Sequence, residues 1–397
     1  MSSLAISAHA AEYDHLIVGT GFSGLVLAER LATQLGRRCL VIDRRAHLGG
    51  NAYDEHDAAG VLIHRYGPHY FRTNSPRIVD YLSQFTAWHR VDYRVLSLTE
   101  GRYWSFPINL QTFEQHLGHS ATSEEFTAWL EQVRVPIAEP KNSEDVIVSQ
   151  VGWDFYRRFF EGYTLKQWKR HPRDLDASVC GRIPLRTNRD DRYFNDSFQA
   201  LPAEGYTRML TRMAHASPLI DLRLNADFRA VRAQVSYRHL VFTGAIDEYY
   251  DHCYGPLPYR SLRFEPESFT PEQLQARLPI AGRPGFWQPQ MQVNYPNDQA
   301  FTRIVEIKHA TGQDCPNTTI VREYPEDFGP GKEPYYPIPA PDTQALYRRY
   351  AARAEQEPNV SFVGRLATYR YYNMDQVIGM ALAEFDRLRA QPPHRPR

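Results

Sequence analysis

An apolar run that ends in a glycine turn is the first clear pattern in the chain. Residues 15–18 read His-Leu-Ile-Val and predict a buried strand, and residues 25–31 carry apolar side chains at helical spacing. Between them lies a Gly-Thr-Gly-Phe-Ser-Gly turn at residues 19–24. A second apolar run at residues 39–42 ends in Asp43. Strand, glycine turn, helix and strand in this order predict a βαβ unit.

The next part of the chain changes from alternating to helical spacing. Alternation between residues 88 and 107 predicts a β-hairpin around Glu100-Gly101. The sequence Thr122-Ser123-Glu124-Glu125 is typical of a capping box ahead of a helix. A longer amphipathic helix is predicted from Gly152 onwards. Residues 169–181 are polar and aperiodic, which is typical of a mobile loop.

Strand character returns after this loop, and most of it predicts an antiparallel sheet. The runs concerned lie at residues 182–185, 259–264, 291–295, 302–308 and 318–324. Two further runs, at residues 240–243 and 360–365, are predicted to return to the βαβ unit instead. A final helix is predicted over residues 374–388, and its N-terminus favours contact with a phosphate or a cofactor ring.

Composition narrows the classes of partner. The 46 Lys and Arg balance the 46 Asp and Glu, so nothing global indicates a nucleic acid or a membrane surface. Cys39, Cys180, Cys253 and Cys315 form no C-x-x-C, which argues against a metal site or a disulfide framework. No signal peptide and no run of about eighteen apolar residues is recognisable. We therefore expect a cytoplasmic protein without membrane insertion.

The glycine turn is the first candidate for chemistry. Gly19 would permit a tight turn, Gly21 a close approach to a pyrophosphate, and Gly24 the packing of helix on strand. Asp43 follows the glycines by about twenty residues, where a carboxylate is expected to accept hydrogen bonds from a ribose. This register predicts a bound dinucleotide. The alternative, a glycine-rich turn that is only structural, needs several coincidences.

The continuation at residues 44–52, Arg-Arg-Ala-His-Leu-Gly-Gly-Asn-Ala, favours a flavin over a nicotinamide. Here the sequence resembles the FAD family that includes amine oxidases and phytoene desaturases. In that family the Gly-Gly pair, Gly49 and Gly50 in this chain, lets the backbone approach the flavin's phosphates. Taken alone, the pair is also compatible with an ordinary turn.

Several longer phrases resemble the UDP-galactopyranose mutase family, nearly from end to end. They are His64-Arg65-Tyr66-Gly67-Pro68-His69, Gly162-Tyr163-Thr164-Leu165-Lys166-Gln167-Trp168, Arg182-Ile183-Pro184-Leu185-Arg186, Tyr259-Arg260-Ser261-Leu262, Thr302-Arg303-Ile304-Val305-Glu306, Glu333-Pro334-Tyr335-Tyr336-Pro337 and Gly364-Arg365-Leu366-Ala367-Thr368-Tyr369-Arg370-Tyr371-Tyr372. Two positions depart from the family: Asp43 replaces a common Glu, and Asn373 replaces an Asp that is frequent in bacterial members. The amide of Asn373 can both donate and accept, so its ligand contact stays open.

The resemblance implies an FAD enzyme that is active when its flavin is reduced. It implies that UDP-galactopyranose and UDP-galactofuranose interconvert through a covalent adduct between the anomeric carbon and flavin N5, with no net redox change. A reductant, a homo-oligomer (dimer or larger) and a role in cell-wall or surface polysaccharide synthesis are part of the same expectation. No metal is expected.

The resemblance also assigns residues to roles. The catalytic candidates are His69, Arg182, Arg303 and Arg365. The cofactor candidates are Gly19, Gly21, Phe22, Ser23, Gly24, Asp43, Arg44, Gly50, Asn51, His69, Arg365, Tyr372, Asn373 and Met374. The substrate candidates are Asn109, Phe159, Tyr163, Thr164, Trp168, Arg182, Tyr193, Asn294, Arg303, Glu323, Tyr335, Tyr371 and Asn373.

Without the resemblance, plainer interpretations compete. Arg182 and Arg303 would each be surface residues in salt bridges, and the stripe of Phe159 and Tyr163 would be a core face. The tyrosines would be packed aromatics, and His69 a capping or core histidine. At the level of the whole chain, an FAD amine oxidase or desaturase and a non-catalytic protein similar to GDP-dissociation inhibitors are the rival functions.

The fold class predicted from all of this is α/β, with three interleaved domains. An FAD-binding Rossmann-like domain covers residues 1–86, 212–252 and 353–397. A helical domain with the mobile loop covers residues 111–181. An antiparallel β-sheet domain for the substrate covers residues 87–110, 182–211 and 253–352.

Overall fold

The computed structural model of the chain describes residues 12–277 and 284–390. Its strands are β1 (Tyr13–Val18), β2 (Cys39–Ile42), β3 (Asp54–His56), β4 (Leu62–His64), β5 (Phe71–Thr73), β6 (Trp88–Arg90), β7 (Val95–Thr99), β8 (Arg102–Phe106), β9 (Phe198–Pro202), β10 (Ile220–Arg223), β11 (Tyr237–Phe242), β12 (Tyr259–Phe269), β13 (Gln292–Asn294), β14 (Arg303–Val305), β15 (Thr318–Asp327), β16 (Tyr336–Pro337) and β17 (Val360–Phe362). Its helices are α1 (Phe22–Leu35), α2 (Pro76–Leu82), α3 (Leu110–Leu117), α4 (Ser123–Val133), α5 (Ser143–Phe155), α6 (Gly162–Trp168), α7 (Ser178–Gly181), α8 (Tyr206–Ala214), α9 (Phe228–Arg232), α10 (Ile246–Tyr249), α11 (Pro271–Arg277), α12 (Lys308–Thr311), α13 (Pro341–Ala354) and α14 (Met374–Ala390). Among these described helices, none combines the length and the apolar character needed to cross a membrane.

The described residues form two compact units, each assembled from separate segments. The first contains residues 12–53, 206–256 and 348–390; the second contains residues 54–205 and, apart from 278–283, residues 257–347. The helices of segment 111–181 and the strands β12 to β16 thus belong to one unit. The first segment of the first unit ends at residue 53; the predicted domain boundaries stay a prediction.

The first unit is built on a parallel sheet, with β1 between β2 and β11. The strand order is β10-β2-β1-β11-β17, and every pairing is parallel. All four residues of β2 are buried, as expected for a strand covered on both faces. Helix α1 packs against α8 and α14. The predicted βαβ unit and the predicted return of residues 240–243 and 360–365 to it are confirmed.

The second unit contains a larger sheet, ordered β16-β12-β15-β14-β13-β7-β8. Its longest pairing is antiparallel, between β12 and β15, as the sequence predicts. The pairing of β13 with β7 is parallel, which the alternating pattern does not reveal, because alternation reports which face is buried and not the direction of a neighbouring strand.

The local turn and capping predictions are confirmed. Strands β7 and β8 form the expected hairpin, and Glu100 and Gly101 both have positive φ, at 54° and 73°, as a tight hairpin turn requires. Helix α4 begins with a complete capping box, because the Thr122 hydroxyl accepts from Glu125 N at 3.2 Å and the Glu125 carboxylate accepts from Thr122 N at 2.7 Å.

The long helix predicted from Gly152 onwards follows a break in α5. Gly152 has φ 74°, which is not helical, and helical structure resumes after it. A Cβ at this position would lie 2.5 Å from the Val133 carbonyl oxygen, so the close contact also requires glycine. A π-helical turn then covers Tyr156–Glu161 before α6 begins. Such turns shift the register of a helix and occur often at functional sites.

Two segments differ in structure from the sequence interpretation. Residues 182–185 form no strand, so that prediction is wrong; Pro184 lacks the N–H that a sheet pairing needs. Residues 169–181 contain a 3-10 turn and α7 instead of an irregular loop. They are tied down by a bidentate Arg170–Asp342 pair and by the bond from Asp176 N to Pro339 O. Their mobility stays a prediction.

Candidate functional site

In the first unit, the backbone conformation and the packing of the protein explain why residues 19 and 24 of the turn are glycines. Gly19 has φ +106°, and its N–H donates to Ile42 O at 2.8 Å. A Cβ on Gly24 would lie 1.9 Å from the Gly19 carbonyl oxygen and 3.2 Å from Ile17 Cγ2. These contacts agree with the tight turn and the close packing of helix on strand that the sequence predicts for Gly19 and Gly24.

Gly21 differs from both because no protein atom demands a glycine there. Its φ is −75°, and a Cβ would come no nearer than 3.8 Å, to Gly50 Cα. Gly50, with φ 57°, faces it: a Cβ on Gly50 would lie 3.0 Å from Gly21 Cα. The backbones of the two glycines thus face each other, with no side chain between them, at the N-terminus of α1. This helix N-terminus provides N–H donors and a favourable dipole for an anion.

Asp43 is buried and holds the turn together. One carboxylate oxygen accepts from Thr20 N at 2.9 Å and from the Thr20 hydroxyl at 2.7 Å, while the other accepts from Arg45 N at 2.9 Å. The Arg45 guanidinium in turn donates to Asn51 at 2.9 Å. An oxygen with a single donor can accept one more hydrogen bond. The predicted ribose contact of Asp43 therefore remains compatible with its structural role.

The start of α14 holds the remaining cofactor candidates of this unit. The Arg365 guanidinium donates to Tyr372 O at 2.6 Å and lies 5.3 Å from the centre of the Tyr371 ring. Asn373 immediately precedes α14, which Met374 begins, and its N–H donates to Gln376. The Arg365 guanidinium is thus hydrogen-bonded to the segment that leads directly into α14.

In the second unit, Arg303 and Glu323 face each other across β14 and β15. Both carboxylate oxygens lie within 2.8 Å of the same guanidinium nitrogen of Arg303, and the Glu323 side chain is 1% exposed. Burial is the largest single influence and acts to lower the Arg303 pKa, but Glu323, Tyr163 and Tyr336 together outweigh it and hold that pKa well above its ordinary value. The Arg303 Nε is buried and has no hydrogen-bond partner among the described residues.

Tyrosines gather around this pair. Burial raises the pKa of Tyr70, and the charges that act on it come from Arg303, Glu323, Tyr193 and Tyr163. The structure therefore brings four predicted substrate residues together around Tyr70. The sequence interpretation missed Tyr70, although it directly follows His69 in the same motif.

Asn294 joins the same group through a residue that was also missed. The Tyr70 hydroxyl donates to the Gln292 side chain at 3.2 Å, and the Gln292 amide donates to Asn294 at 2.8 Å. No spacing in the sequence indicates Gln292, because it depends on the pairing of β13 with its neighbours.

The predicted wall of α6 and the π-helical turn is mostly interior. Phe159 is 3% exposed and packs on Phe155, Trp104 and Phe106, and Thr164 and Trp168 are also buried. Tyr163 alone among these candidates keeps partial exposure. For Phe159 the structure supports the core interpretation.

Asn109, a substrate candidate by the family resemblance, has a structural role. Its amide is fully buried as the N-cap of α3, accepting from Gln111 N and Thr112 N and donating to Ser105 Oγ and Pro107 O. With both ends of the amide in use and no exposed surface, it has nothing left for a substrate. The sequence Asn-x-x-Thr ahead of an apolar run already indicates such a cap.

The turn that contains His69 fixes the tautomer of its ring. Its Nδ1–H donates to Gly67 O at 2.8 Å, and its backbone N–H donates to His64 Nδ1 at 3.0 Å. Burial lowers the pKa of His64 to about 3, so that ring is neutral and acts as the acceptor. A small cavity beside the turn is lined by His64, Gly67 and Glu323, among others.

The other substrate candidates are less closely grouped. Arg182 is exposed just after α7, where its charge acts on the buried Cys180. Tyr335 is buried and packs edge-on against Phe264 at 5.6 Å. No group of His, Cys, Asp and Glu suited to a metal ion occurs in residues 12–277 and 284–390.

The chain is similar to known proteins over most of its length. Residues 158–371 match the family model of UDP-galactopyranose mutase, and residues 17–85 match that of an NAD(P)-binding Rossmann-like domain. A probable UDP-galactopyranose mutase of Klebsiella pneumoniae is 38% identical over 94% of this chain and 93% of its own. A dTDP-fucopyranose mutase of Escherichia coli is 32% identical over 92% and 96%, respectively.

Solved structures agree in fold. A crystal structure of a reduced UDP-galactopyranose mutase superimposes with a TM-score of 0.72 at 16% identity, covering 96% of both chains. A putrescine oxidase structure gives a TM-score of 0.58 at 14% identity, covering 96% of this chain and 99% of the other. At such identities the likeness is one of fold alone.

Proposed function

The chain belongs to the UDP-galactopyranose mutase family, and from this premise we propose that it interconverts UDP-galactopyranose and UDP-galactofuranose without net redox change. The observation that carries the proposal is the ion pair among tyrosines between the partly exposed Arg303 and the buried Glu323. The Arg303 Nε, which has no partner within the described part of the chain, is a charge-assisted donor, and a diphosphate oxygen is the acceptor it favours. An apolar amine or carotenoid substrate would leave that donor unsatisfied.

FAD is the proposed cofactor, and the residues of the first unit fit it. Gly21 and Gly50 offer bare backbone at the N-terminus of a long helix, which suits a pyrophosphate. Asp43 retains acceptor capacity for a ribose, and Arg365 supplies a cation near the start of α14. When bound and reduced, FAD supplies a nucleophilic N5 for covalent catalysis at the anomeric carbon of the sugar.

The chain's own residues have the task of holding and neutralising the diphosphate. Arg303 would donate from Nε while Glu323 fixes its guanidinium plane, and Arg182 would bring a second cation from its exposed position. The hydroxyls of Tyr193 and Tyr335 would add neutral donors. UDP has to leave and return in the proposed reaction, so donors that hold it throughout favour its return over loss.

The direct test is turnover with a defined flavin state. Photoreduced protein incubated with UDP-galactofuranose should form UDP-galactopyranose, separated by chromatography, whereas the oxidised protein should form none, because only reduced N5 is a nucleophile. Borohydride quenching of the reduced reaction should trap a flavin–sugar product. Equal rates in both states would exclude the covalent mechanism.

The relative from Escherichia coli makes substrate choice part of the same experiment. dTDP-fucopyranose should be run in parallel, since that relative is about as similar to this chain as a UDP-galactopyranose mutase of Mycoplasma pneumoniae, at 32% and 31% identity. We expect faster turnover of the UDP-sugar; preference for the dTDP-sugar would reassign the substrate. A protein purified without yellow colour would favour the binding-protein alternative.

Tyr163 provides a test of the base-binding surface. Tyr163→Ala should weaken UDP binding by about 1–3 kcal/mol, roughly five- to a hundredfold, because a stacked base loses its aromatic partner. Its melting temperature should change little, since the side chain is partly exposed. Titration with UDP and thermal unfolding provide the two readouts.

Phe159→Ala is the matched control one turn earlier. Phe159 is packed among three aromatic rings, so truncation should cost about 3–5 kcal/mol of stability and affect UDP binding less. If Tyr163→Ala instead lowers the melting temperature sharply and binds UDP normally, Tyr163 belongs to the core.

The remaining expectations are proposals of the same rank. A reductant for the flavin is the partner that the chemistry requires, and the cytoplasm is the compartment we propose, as a source of both reductant and UDP-sugar. The predicted homo-oligomer stays a prediction.

A further inference from the structure

Lys166 occupies an unusual position in the second unit. Its ammonium donates to three backbone carbonyls, those of Tyr295, Gln299 and Phe301, the latter two at 2.9 and 3.1 Å. An ammonium has three donors, so this cage uses all of them. The three acceptors belong to one loop, residues 295–302, which joins β13 to β14.

The same face of the helix contacts this loop at two further turns. Arg158, Gly162 and Lys166 are spaced four residues apart. The Arg158 carbonyl accepts from the Asn297 amide at 3.2 Å, and a Cβ on Gly162 would lie 2.6 Å from both Asn297 Oδ1 and Pro296 O. Any side chain at residue 162 would push the loop away. Gly162 therefore permits the close approach of helix and loop, and the hydrogen bonds of Lys166 hold it. We call this contact between residues 158–166 and the 295–302 loop the seam.

The two elements joined at this seam carry different parts of the proposed substrate site. Helix α6 carries Tyr163, the candidate for the base. The loop connects Asn294 to Arg303, which pair directly across β13 and β14, and Arg303 is the candidate for the diphosphate. The seam therefore fixes how far the base contact lies from the phosphate contact.

We propose that Lys166 is a positioning residue that fastens α6 to the β13–β14 loop and so sets the spacing between the base-binding and diphosphate-binding residues. This inference rests on the proposed function. Lys166 needs no contact with the substrate, because it acts through Tyr163 on one side and Arg303 on the other.

The energetics favour a positional over a stabilising role. Burial lowers the pKa of Lys166 to about 8, with Asp298 opposing, which reflects the cost of placing a cation there. An apolar side chain would avoid that cost, but it could not donate the hydrogen bonds that hold the three carbonyls in place. Removal of the ammonium should therefore change geometry more than global stability.

The test compares a linked ligand with its separate parts. Lys166→Met should weaken UDP by about ten- to a hundredfold, since misplacement of about 1 Å has effects of that size. Uridine and inorganic pyrophosphate, measured separately by competition or NMR titration, should each bind within about twofold of wild type, because each contacts only one side of the seam. UDP gains from having both sites in register.

Lys308→Met is the matched control. Lys308 is a buried lysine in the same unit that also donates to backbone carbonyls, Gly285 O at 3.1 Å and Asn317 O at 2.9 Å, but it lies on α12. Its loss should leave UDP, uridine and pyrophosphate affinities unchanged. Lys166→Arg cannot donate to all three converging carbonyls, so it should still weaken UDP binding. Because it keeps the positive charge, the loss should be smaller than in Lys166→Met. The Arg variant replaces the Met variant in the test if Lys166→Met does not fold.

The outcomes separate the inference from the proposed function. Unchanged UDP affinity in Lys166→Met and Lys166→Arg overturns the inference, as does an equal loss for UDP, uridine and pyrophosphate, which indicates general damage. Wild-type protein that binds no UDP overturns the proposed function and the inference with it. Selective loss of UDP affinity supports both.

Discussion

Arg303→Ala should weaken UDP binding by about ten- to a hundredfold and also destabilise the fold. Each charge-assisted hydrogen bond to the diphosphate contributes roughly 1.5–3 kcal/mol. The truncation also leaves Glu323, at 1% exposure, as a buried carboxylate without its cation, a change that costs about 3–5 kcal/mol. Calorimetric titration with UDP and urea unfolding measure the two losses independently.

Two control variants separate the loss of UDP affinity from the loss of stability. Combining Arg303→Met with Glu323→Gln removes the stranded charge, so stability should recover while UDP binding stays weak. Arg182→Ala should weaken UDP without altering stability, because Arg182 is exposed. If Arg303→Ala lowers stability yet binds UDP like wild type, the pair is purely structural, and the observation that carries the proposed function is lost.

The contrast between these two arginines marks what sequence can reveal. Each resembles a surface residue when read alone, and no local pattern distinguishes them. The ion pair of Arg303 arises from the pairing of β14 with β15, which places Glu323, twenty positions further on, directly opposite. Such a pairing is a property of strand register, and register is set by the whole sheet.

Features whose chemistry is contiguous in sequence were predicted well. The glycine turn, the Glu100-Gly101 hairpin and the Thr122 capping box each depend on neighbouring residues, and each has the expected geometry. Periodicity is more ambiguous. It placed Phe159 and Tyr163 on one helix face but could not tell which is buried, because that depends on Trp104 and Phe106 from β8.

Two errors have local causes that fuller sequence reasoning could have used. Asn109 was assigned to the substrate, although Asn three residues before Thr is a capping pattern. Residues 182–185 were assigned to a strand in spite of Pro184. The Lys166 cage is different, because it depends on how α6 meets the 295–302 loop, and neither partner specifies that contact alone.

Gly21→Leu should yield a folded protein that purifies almost without flavin. The structure offers room for a Cβ at this position, since the nearest protein atom would be 3.8 Å away and φ is −75°. Loss of flavin in a variant whose fold is intact must then come from a ligand that approaches the Gly21 backbone, as the proposed pyrophosphate does, and Gly21→Ala, which adds only the Cβ, is the matched smaller change. Flavin absorbance relative to protein, together with circular dichroism, measures both parts of the prediction.

Two other glycines make the comparison selective. Gly24→Ala should impair folding itself, because its Cβ would lie 1.9 Å from the Gly19 carbonyl oxygen, so flavin would be lost together with helical signal. Gly329→Leu should change neither quantity, since no atom lies within 4 Å of a Cβ there. A Gly21→Leu protein that keeps one flavin per chain would contradict the assignment of this turn to the cofactor's phosphates. Loss of flavin with an intact fold separates a binding glycine from a packing glycine within one motif, three residues apart.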